Sequence, residues 1–319
     1  MEPLTSKIRR RLRYYLNWPK IYFQAQVGNK KELAKLAGLI KDNAQAALQT
    51  RDLANVVEIL SSFRVTTPSR KEIMQVTMEN TLRHLRNSGV SLKILDSSPE
   101  EYIAQNQSFY EQLGLKLSYR TSSAKLTAAY IDLLTYSDKP YFYMAFDDFV
   151  SLNMQPQFLN SAAQLLKDFA GLVDCILIDP PTAYRVDDQE KIFYYDLNSL
   201  DALRKADSLL GIVNYGNWRF AIVRNFHYGF FFNTIVANRQ DYLRRLTWYV
   251  NNVSPSAHYI ELAAAKKIGP VYKFLAIPLD VVQLDLDFEH TQISVRAENT
   301  ATEDFFRALK NNYRLIANK

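Results

Sequence analysis

Only one cysteine, Cys175, occurs in the 319 residues. An intramolecular disulfide and a multi-cysteine zinc site are thereby excluded, and a reducing compartment suits the chain. Glycine is scarce as well. None of the nine glycines is spaced as G-x-G-x-x-G or G-x-x-x-x-G-K-S/T, which removes the dinucleotide-dehydrogenase and P-loop readings. H-E-x-x-H and G-x-S-x-G are also missing, so zinc-peptidase and α/β-hydrolase chemistry have no foothold. No run of about 18 uncharged apolar residues is present. The opening MEPLTSKIRRRLRYYLNWPK lacks the apolar core of a secretory signal, and the expected location is cytoplasmic.

Apolar side chains, in contrast, are plentiful. A hydrophobic content of 48%, with 13% aromatics, supplies the core of one large domain. The net charge of +6 is concentrated: residues 1–20 hold +5 of it, with Lys7, Arg9, Arg10, Arg11, Arg13 and Lys20 against Glu2. Ile8, Leu12, Tyr15 and Leu16 share one helical face of this arm, and Trp18, Tyr22 and Phe23 follow. A basic amphipathic segment with aromatic anchors fits a helix packed on the domain or on a second subunit, or attachment to an anionic membrane surface. Beyond it no extended basic face with interleaved aromatics occurs, which argues against a nucleic-acid partner.

Residues 30–54 have helix-forming composition and predict a lead-in helical pair. From residue 56 strands and helices alternate. The pattern predicts strands at 56–63, 90–96, 115–120 and 141–146, separated by helices at 71–87, 99–112 and 123–136. Helical crossovers of this length imply an α/β fold with a mostly parallel central sheet and helices on both faces. The second half is less regular: a helix at 156–169, the strand CILID, an aromatic region at 215–233, a helix near 255–267, a strand through YKFLAIPLDVVQLDL and a closing helix at 302–316.

In such sheets ligands bind beyond the carboxyl ends of the strands. Asp96 ends one predicted strand, and Asp147 and Asp148 end another, in YFYMAFDDFVSL. Two adjacent carboxylates at the rim of a core are costly unless a positive partner sits on them, and a metal ion is one candidate. Neighbouring strand residues face opposite sides, so both aspartates reach one ion only where the strand ends and bends. An Asp pair of this kind also serves as a helix cap or a solvated turn.

The segment VTTPSRKEIMQVTMENTLRHLRNSGVSLKILDSSPEE, with YFYMAFDDFVSLNMQPQFLNSAAQLLKD, resembles the metal-dependent sugar-nucleotide glycosyltransferases of the GT-A fold, in particular the large family 2 type. The resemblance covers residues 56–295 and implies a GT-A-like, Rossmann-type sandwich. It implies that Thr67, Pro68, Ser69 and Arg70 form a loop touching the nucleotide and that Asp96 reads the base. Asp147 and Asp148 then hold the diphosphate and a Mn²⁺ or Mg²⁺ ion, and His290, in VVQLDLDFEHTQIS, completes the metal site. VANRQDYLRRLTWYVNNVSPSAHYIELAAAKKIG is similar to the acceptor-side region. There an acidic pair usually supplies the general base; here His258 and Tyr259 stand in those positions, which leaves His258 or Glu261 as the base. Trp218 and Arg219 are candidates for an acceptor pocket, since sugars stack on aromatic faces and a guanidinium grips anions.

The chain thus divides into an arm with lead-in helices (1–55), a GT-A-like catalytic domain (56–300) and a C-terminal helix (301–319). The implied activity is transfer of a sugar from a nucleotide diphosphate donor to a hydroxyl acceptor, with inversion. The acceptor would be a saccharide or a lipid-linked saccharide, as in polysaccharide biosynthesis, on the inner face of the membrane. A sugar nucleotidyltransferase and a catalytically silent nucleotide-sugar-binding protein are the alternatives. For the arm, deletion of residues 1–20 is expected to leave folding intact and to abolish sedimentation with anionic vesicles; unchanged sedimentation removes the membrane role.

Overall fold

The strand Val57–Phe63 (β1) is buried along its whole length, as a strand covered on both faces must be. Val57, Ile59 and Phe63 enter one apolar core and Leu60 another. Its one charge, Glu58, is neutralised at the rim by Lys93, 3.1 Å away, and accepts a hydrogen bond from the Ser91 hydroxyl at 2.7 Å. The computed structural model describes residues 30–49, 52–123, 126–152, 154–178, 182–186, 192–196, 209–224, 234–252 and 272–285.

Around β1 the chain runs through α1 (Lys30–Asp42) and a single turn, α2 (Leu53–Val56), before it, and α3 (Pro68–Leu82) and β2 (Ser91–Asp96) after it. Next come α4 (Glu100–Gln112), β3 (Lys116–Thr121), α5 (Leu126–Tyr136) and β4 (Tyr141–Met144). Then β5 (Phe149–Leu152), α6 (Pro156–Asp168), β6 (Val173–Leu177), β7 (Thr182–Val186) and β8 (Ile192–Asp196) follow. The described chain closes with β9 (Leu209–Tyr215), β10 (Trp218–Arg224), β11 (Ile235–Asn238), α7 (Arg239–Asn252), β12 (Phe274–Pro278) and β13 (Val282–Asp285).

Nine strands make one sheet in the order β3-β2-β1-β4-β11-β6-β12-β10-β9. The first four are mutually parallel, β6 and β12 are parallel to each other, and β11 and β10 run against their neighbours. The sheet is therefore mostly parallel in direction, and its faces are covered separately. Residues of α1, α3, α4 and α6 pack with Ile59, Ile94, Tyr143, Ile176 and Phe220, whereas α5 and α7 pack with Leu60, Phe142, Cys175, Ala221 and Leu275. Alternate residues of each strand feed opposite cores, the period of an extended chain. Cys175 is one of these packing residues. No helix among the described residues is long and apolar enough to cross a membrane.

Helix boundaries in the first half follow local chemistry. Pro68 occupies the first turn of α3 and the Thr67 side chain caps it; Gly114, at φ +71, lets the chain turn from α4 into β3. The lead-in segment departs from the expected helical pair. Only α1 is a full helix, and residues beyond it are drawn onto the sheet: Ala46 N–H donates to the Asn214 carbonyl at 2.8 Å and Asn214 Nδ2 to the Ala44 carbonyl at 2.7 Å. The buried Gln164 side chain accepts from Gln49 N–H at 2.8 Å and donates to the Ala47 carbonyl at 3.2 Å. These long-range bonds override the helix propensity of an Ala- and Gln-rich stretch. The strand expected through 272–286 also divides, β12 joining the large sheet and β13 pairing with β5. The predicted helices near 255–267 and 302–316 and the N-terminal arm lie outside the described residues.

Docking of α1 on β9 depends on one glycine. A Cβ placed on Gly211 would lie 2.6 Å from the branched Cγ2 of Ile40. Gly211→Ala is therefore expected to destabilise the protein by about 1–3 kcal/mol in urea denaturation, and Ile40→Ala in the same chain should recover part of that loss.

Candidate functional site

Strand β4 ends at Met144, and residues 145–148 bend before β5 begins. The reversal carries Asp147 and Asp148 beyond the strand end, 6% and 7% exposed. It also resolves the geometric problem of neighbouring side chains. Asp147 Oδ2 and Asp148 Oδ2 both lie 3.1 Å from one atom, Nη2 of Arg70. Arg70 Nη2 donates a hydrogen bond to Asp148 Oδ2. Asp147 Oδ2 has the charge contact but no well-directed hydrogen bond.

Arg70 reaches this position from the first turn of α3. The loop leaving β1 crosses to the edge where β1, β2 and β4 end, and Thr67 Oγ1 accepts from Arg70 N–H at 3.2 Å, starting the helix there. Thr67 and Pro68 are exposed and Ser69 half-buried, so the N-terminus of α3 stands at the surface beside the carboxylates, with its Arg70 and Lys71 amides bonded back to Thr67. Such an N-terminus favours anions.

Among the described residues the two carboxylates share one guanidinium. Burial pushes Asp147 up to about 7, Arg70 pulls against that rise, and the like charge of Asp148 adds to it. Tyr110 and Tyr130, both fully buried, stand within the field of the pair. Burial first, and Asp147 next, holds both phenols far above their ordinary value, and Asp148 adds to the effect on Tyr130. Both therefore remain neutral. The Tyr110 hydroxyl has no hydrogen-bond partner among the described residues, while its ring stacks on Phe63 with centroids 5.3 Å apart.

Asp96 lies at the end of β2, in register with Phe63, but it is wholly buried. Its Oδ1 accepts from Ser98 N–H at 2.7 Å, and its Oδ2 from Asn106 Nδ2 at 2.9 Å and from the Tyr119 hydroxyl. Ser98 Oγ in turn accepts from Val65 N–H at 2.8 Å. The carboxylate thus ties the exit loop of β2 to that of β1, and through it to the start of α3.

Thr67, Pro68, Ser69, Arg70, Asp147 and Asp148 accordingly come together, with Asp96 beneath them. Trp218 and Arg219 do not join this group. They begin β10, on the same sheet edge but four strand spacings, about 19 Å, from β4. Trp218 packs edge-on against Phe158 at 5.3 Å, and Arg219 Nη2 donates to Asp280 Oδ1 at 2.6 Å. His258, Glu261 and His290 lie outside the described residues. Tyr110, Tyr119, Tyr130, Asn106 and Ser98 were not among the candidates drawn from the sequence. The one local signal is Asn106, an amide whose position in α4 faces the core.

Among the described residues no three histidine, cysteine or acidic side chains gather to hold a metal. The pair itself fits a hard divalent cation in part: two carboxylates supply oxygen donors, and Asp147 Oδ2 is buried without a directed donor among the described residues.

No family model and no curated protein matches the chain. Similarities to solved structures are distant. A mannosyltransferase from Pyrobaculum calidifontis, in complex with GDP-Man and Mn²⁺, aligns at a TM-score of 0.45 and 13% identity, over 88% of this chain and 71% of that one. A 4-diphosphocytidyl-2C-methyl-D-erythritol synthase from Anaerococcus prevotii aligns at 0.34 and 7% identity, over 64% of this chain and 79% of that one. A cytidylyltransferase from Leptospira borgpetersenii aligns at 0.29 and 13% identity, over 47% and 63%.

The raised Asp147 has a signed consequence. Between the ordinary carboxylate value of about 4 and its own value of about 7, the native protein holds a proton that the unfolded chain has released. Its contribution to stability is full below the ordinary value and is lost as pH rises through about 7. In Asp147→Asn, measured with chelator present, this slope should vanish, and the melting temperature near pH 8 should rise by roughly 2–4 °C. Arg70 keeps Asp148 as its partner in that variant. A fall in melting temperature near pH 8 overturns this assignment of the strain.

Proposed function

We propose that the protein is a metal-dependent glycosyltransferase that moves a sugar from a nucleotide diphosphate to a hydroxyl acceptor, with inversion. The observation that supports it best is the convergence of Asp147 and Asp148 on one guanidinium beside a helix N-terminus, at the carboxyl edge of parallel strands. Anionic and cationic groups are there side by side, which suits a ligand that brings both phosphates and a cation.

On this proposal the diphosphate lies at the start of α3. The Arg70 guanidinium binds its oxygens through paired N–H groups, in the field of the helix N-terminus. Asp148, with His290, would hold Mn²⁺ or Mg²⁺, and Asp147 a ribose hydroxyl or a water beside the ion. When bound, the cation supplies neutralisation of the charge that develops on the leaving diphosphate. The chain's own part is positioning and fixed electrostatics. Asp96 acts in base recognition by fixing the loop wall through Ser98 rather than by offering a free oxygen, since its two oxygens already accept bonds from within. Deprotonation of the acceptor hydroxyl falls to His258 or Glu261, and acceptor contacts to Trp218 and Arg219. The basic arm would bring the enzyme to an anionic surface where lipid-linked acceptors reside.

A sugar nucleotidyltransferase would place a glycine-rich phosphate loop directly after the first strand. The residues that follow β1, Arg64 to Thr67, contain no glycine, and the capped start of α3 occupies that position instead.

The test is a thermal-shift screen of UDP-, GDP- and dTDP-sugars with and without Mn²⁺. A donor present at 100 times its Kd should stabilise the folded state by about 2.7 kcal/mol, only with Mn²⁺ present, and not in Asp148→Ala. Nucleotide release from the same donor should follow in wild type and fail in that variant. Absence of a shift from all three classes overturns the proposal.

A further inference from the structure

We infer that a cavity on the opposite edge of the sheet binds a small zwitterion of the α-amino-acid class, with Arg245 on its carboxylate and Asp174 on its ammonium group. The inference is independent of the sugar-transfer proposal.

The cavity, about 150 Å³ in volume, lies around the amino ends of β6 and β12, between the turn after α6, the first turn of α1 and the middle of α7. β11 runs against both β4 and β6, so β6 points the same way as β4. Its amino end is therefore at the edge away from Asp147 and Asp148. The five residues of β6 put about 16 Å of strand between the two edges, and a ligand here does not overlap the strand-end site.

Arg245 supplies the first half of the argument. Its side chain is only 10% exposed, its Nε donates to Asp241 Oδ2 at 2.5 Å, and its guanidinium stands 4.1 Å from the centre of the Tyr272 ring. The terminal nitrogens are a different matter. Among the described residues Nη1 and Nη2 donate to no acceptor, yet they are not sealed from solvent, so they open into the cavity that Arg245 lines. Burial works against the charge, and the fields of Tyr272, Asp241 and Asp174 outweigh it and keep the group protonated. A nearly buried guanidinium with terminal N–H groups to spare is suited to a carboxylate.

Asp174 supplies the second half. Its Oδ1 accepts from Gly171 N–H at 3.1 Å, whereas among the described residues its Oδ2 accepts from no donor and no cation pairs with either oxygen. Burial holds this carboxyl above its ordinary value. An ammonium group beside it would offset that cost.

Together the two groups set the ligand class. A simple carboxylate would suit Arg245 but face the like charge of Asp174, and a simple amine would suit Asp174 but face Arg245. Lys273 and Glu32, 3.2 Å apart in the lining, neutralise each other and favour neither sign. A neutral polyol offers hydroxyls to both groups but answers neither charge. A molecule with carboxylate and ammonium on one carbon answers both and brings no net charge. The volume equals about five water molecules at roughly 30 Å³ each, which restricts the side chain to that of glycine, alanine or serine.

The test is calorimetric titration of the full chain near neutral pH with glycine, L-alanine and L-serine, and with acetate, methylammonium and glucose as controls. At least one amino acid should bind, and each control should bind about tenfold more weakly or worse. Asp174→Asn and Arg245→Gln should each weaken the amino acid by about tenfold. Arg245→Gln also takes a partner from Asp241; if it fails to fold, Asp174→Asn, which keeps the side-chain shape, provides the answer. No heat from any of the three amino acids up to about 10 mM overturns the inference. So does acetate, methylammonium or glucose binding as tightly as the amino acid, or binding that is unchanged in Asp174→Asn.

Discussion

Among the described residues three charges shape this site: two buried carboxylates and one guanidinium that reaches both. Adjacent acids at a strand end are unstable neighbours, since burial and mutual repulsion each oppose ionisation. Arg70 answers that cost within the fold, and its placement constrains everything upstream. The guanidinium arrives only because α3 begins where it does. α3 begins there because Thr67 caps it, Pro68 starts it, and Ser98 holds the preceding loop through Val65. Asp96 completes the chain of constraint from below, fixing Ser98 through its backbone N–H. A buried carboxylate in β2 therefore helps to set where a guanidinium from α3 meets two carboxylates after β4.

The double covering of the sheet makes this arrangement rigid enough to matter. β1 has apolar residues on both faces, and the two cores leave it no freedom to tilt. Polar groups that must leave the core do so at the strand ends, and at the carboxyl edge they are those of the site. At the other end of β1, Glu58 and Lys93 pair for an ordinary reason, closure of a sheet rim. The contrast is instructive. Glu58 pairs with Lys93 and accepts from Ser91, whereas Asp147 shares the Arg70 guanidinium with Asp148; in each acid one buried oxygen has a charge contact without a directed hydrogen bond.

How far the sequence reveals this depends on the range of the interactions. β1 to β4 and the helices between them are legible because apolar period, proline, capping threonine and terminal glycine all act within a few residues. The aspartate pair is legible for the same reason: its position after an apolar run marks a strand end. What is not legible is set by partners far along the chain. Residues 44–49 read as helix, but bonds from Gln164 and Asn214 hold them in a turn followed by a non-helical stretch along the sheet. YKFLAIPLDVVQLDL reads as one strand, but the chain leaves the large sheet after Pro278 to pair with β5. Val236, Ala237 and Asn238 open the segment similar to an acceptor-side region and carry no strand prediction, but Ile235–Asn238 form an antiparallel strand between β4 and β6. Arg70 was a candidate for its loop, yet no local pattern pairs it with residues 77 and 78 positions later. Asp96 shows the limit in the other direction. A strand-end acid suggests an exposed acceptor, and only the packing of Asn106 and Tyr119 around it reveals an interior one.

The same distinction separates the two halves of the candidate site. The groups around Asp147 and Asp148 are brought together by a few strand-end loops that lie next to one another in the sheet, so their geometry follows from the topology. Trp218 and Arg219 share the edge but not the neighbourhood, and each already has a partner, Phe158 and Asp280. For them to act on a ligand bound near β4, that ligand must extend across β11, β6 and β12. A long acceptor would satisfy this requirement, because a saccharide chain can follow a sheet edge while its terminal hydroxyl lies at the strand ends. A small acceptor would not. The separation along the sheet therefore ties any joint role of these two residues to the size of the ligand that would span it.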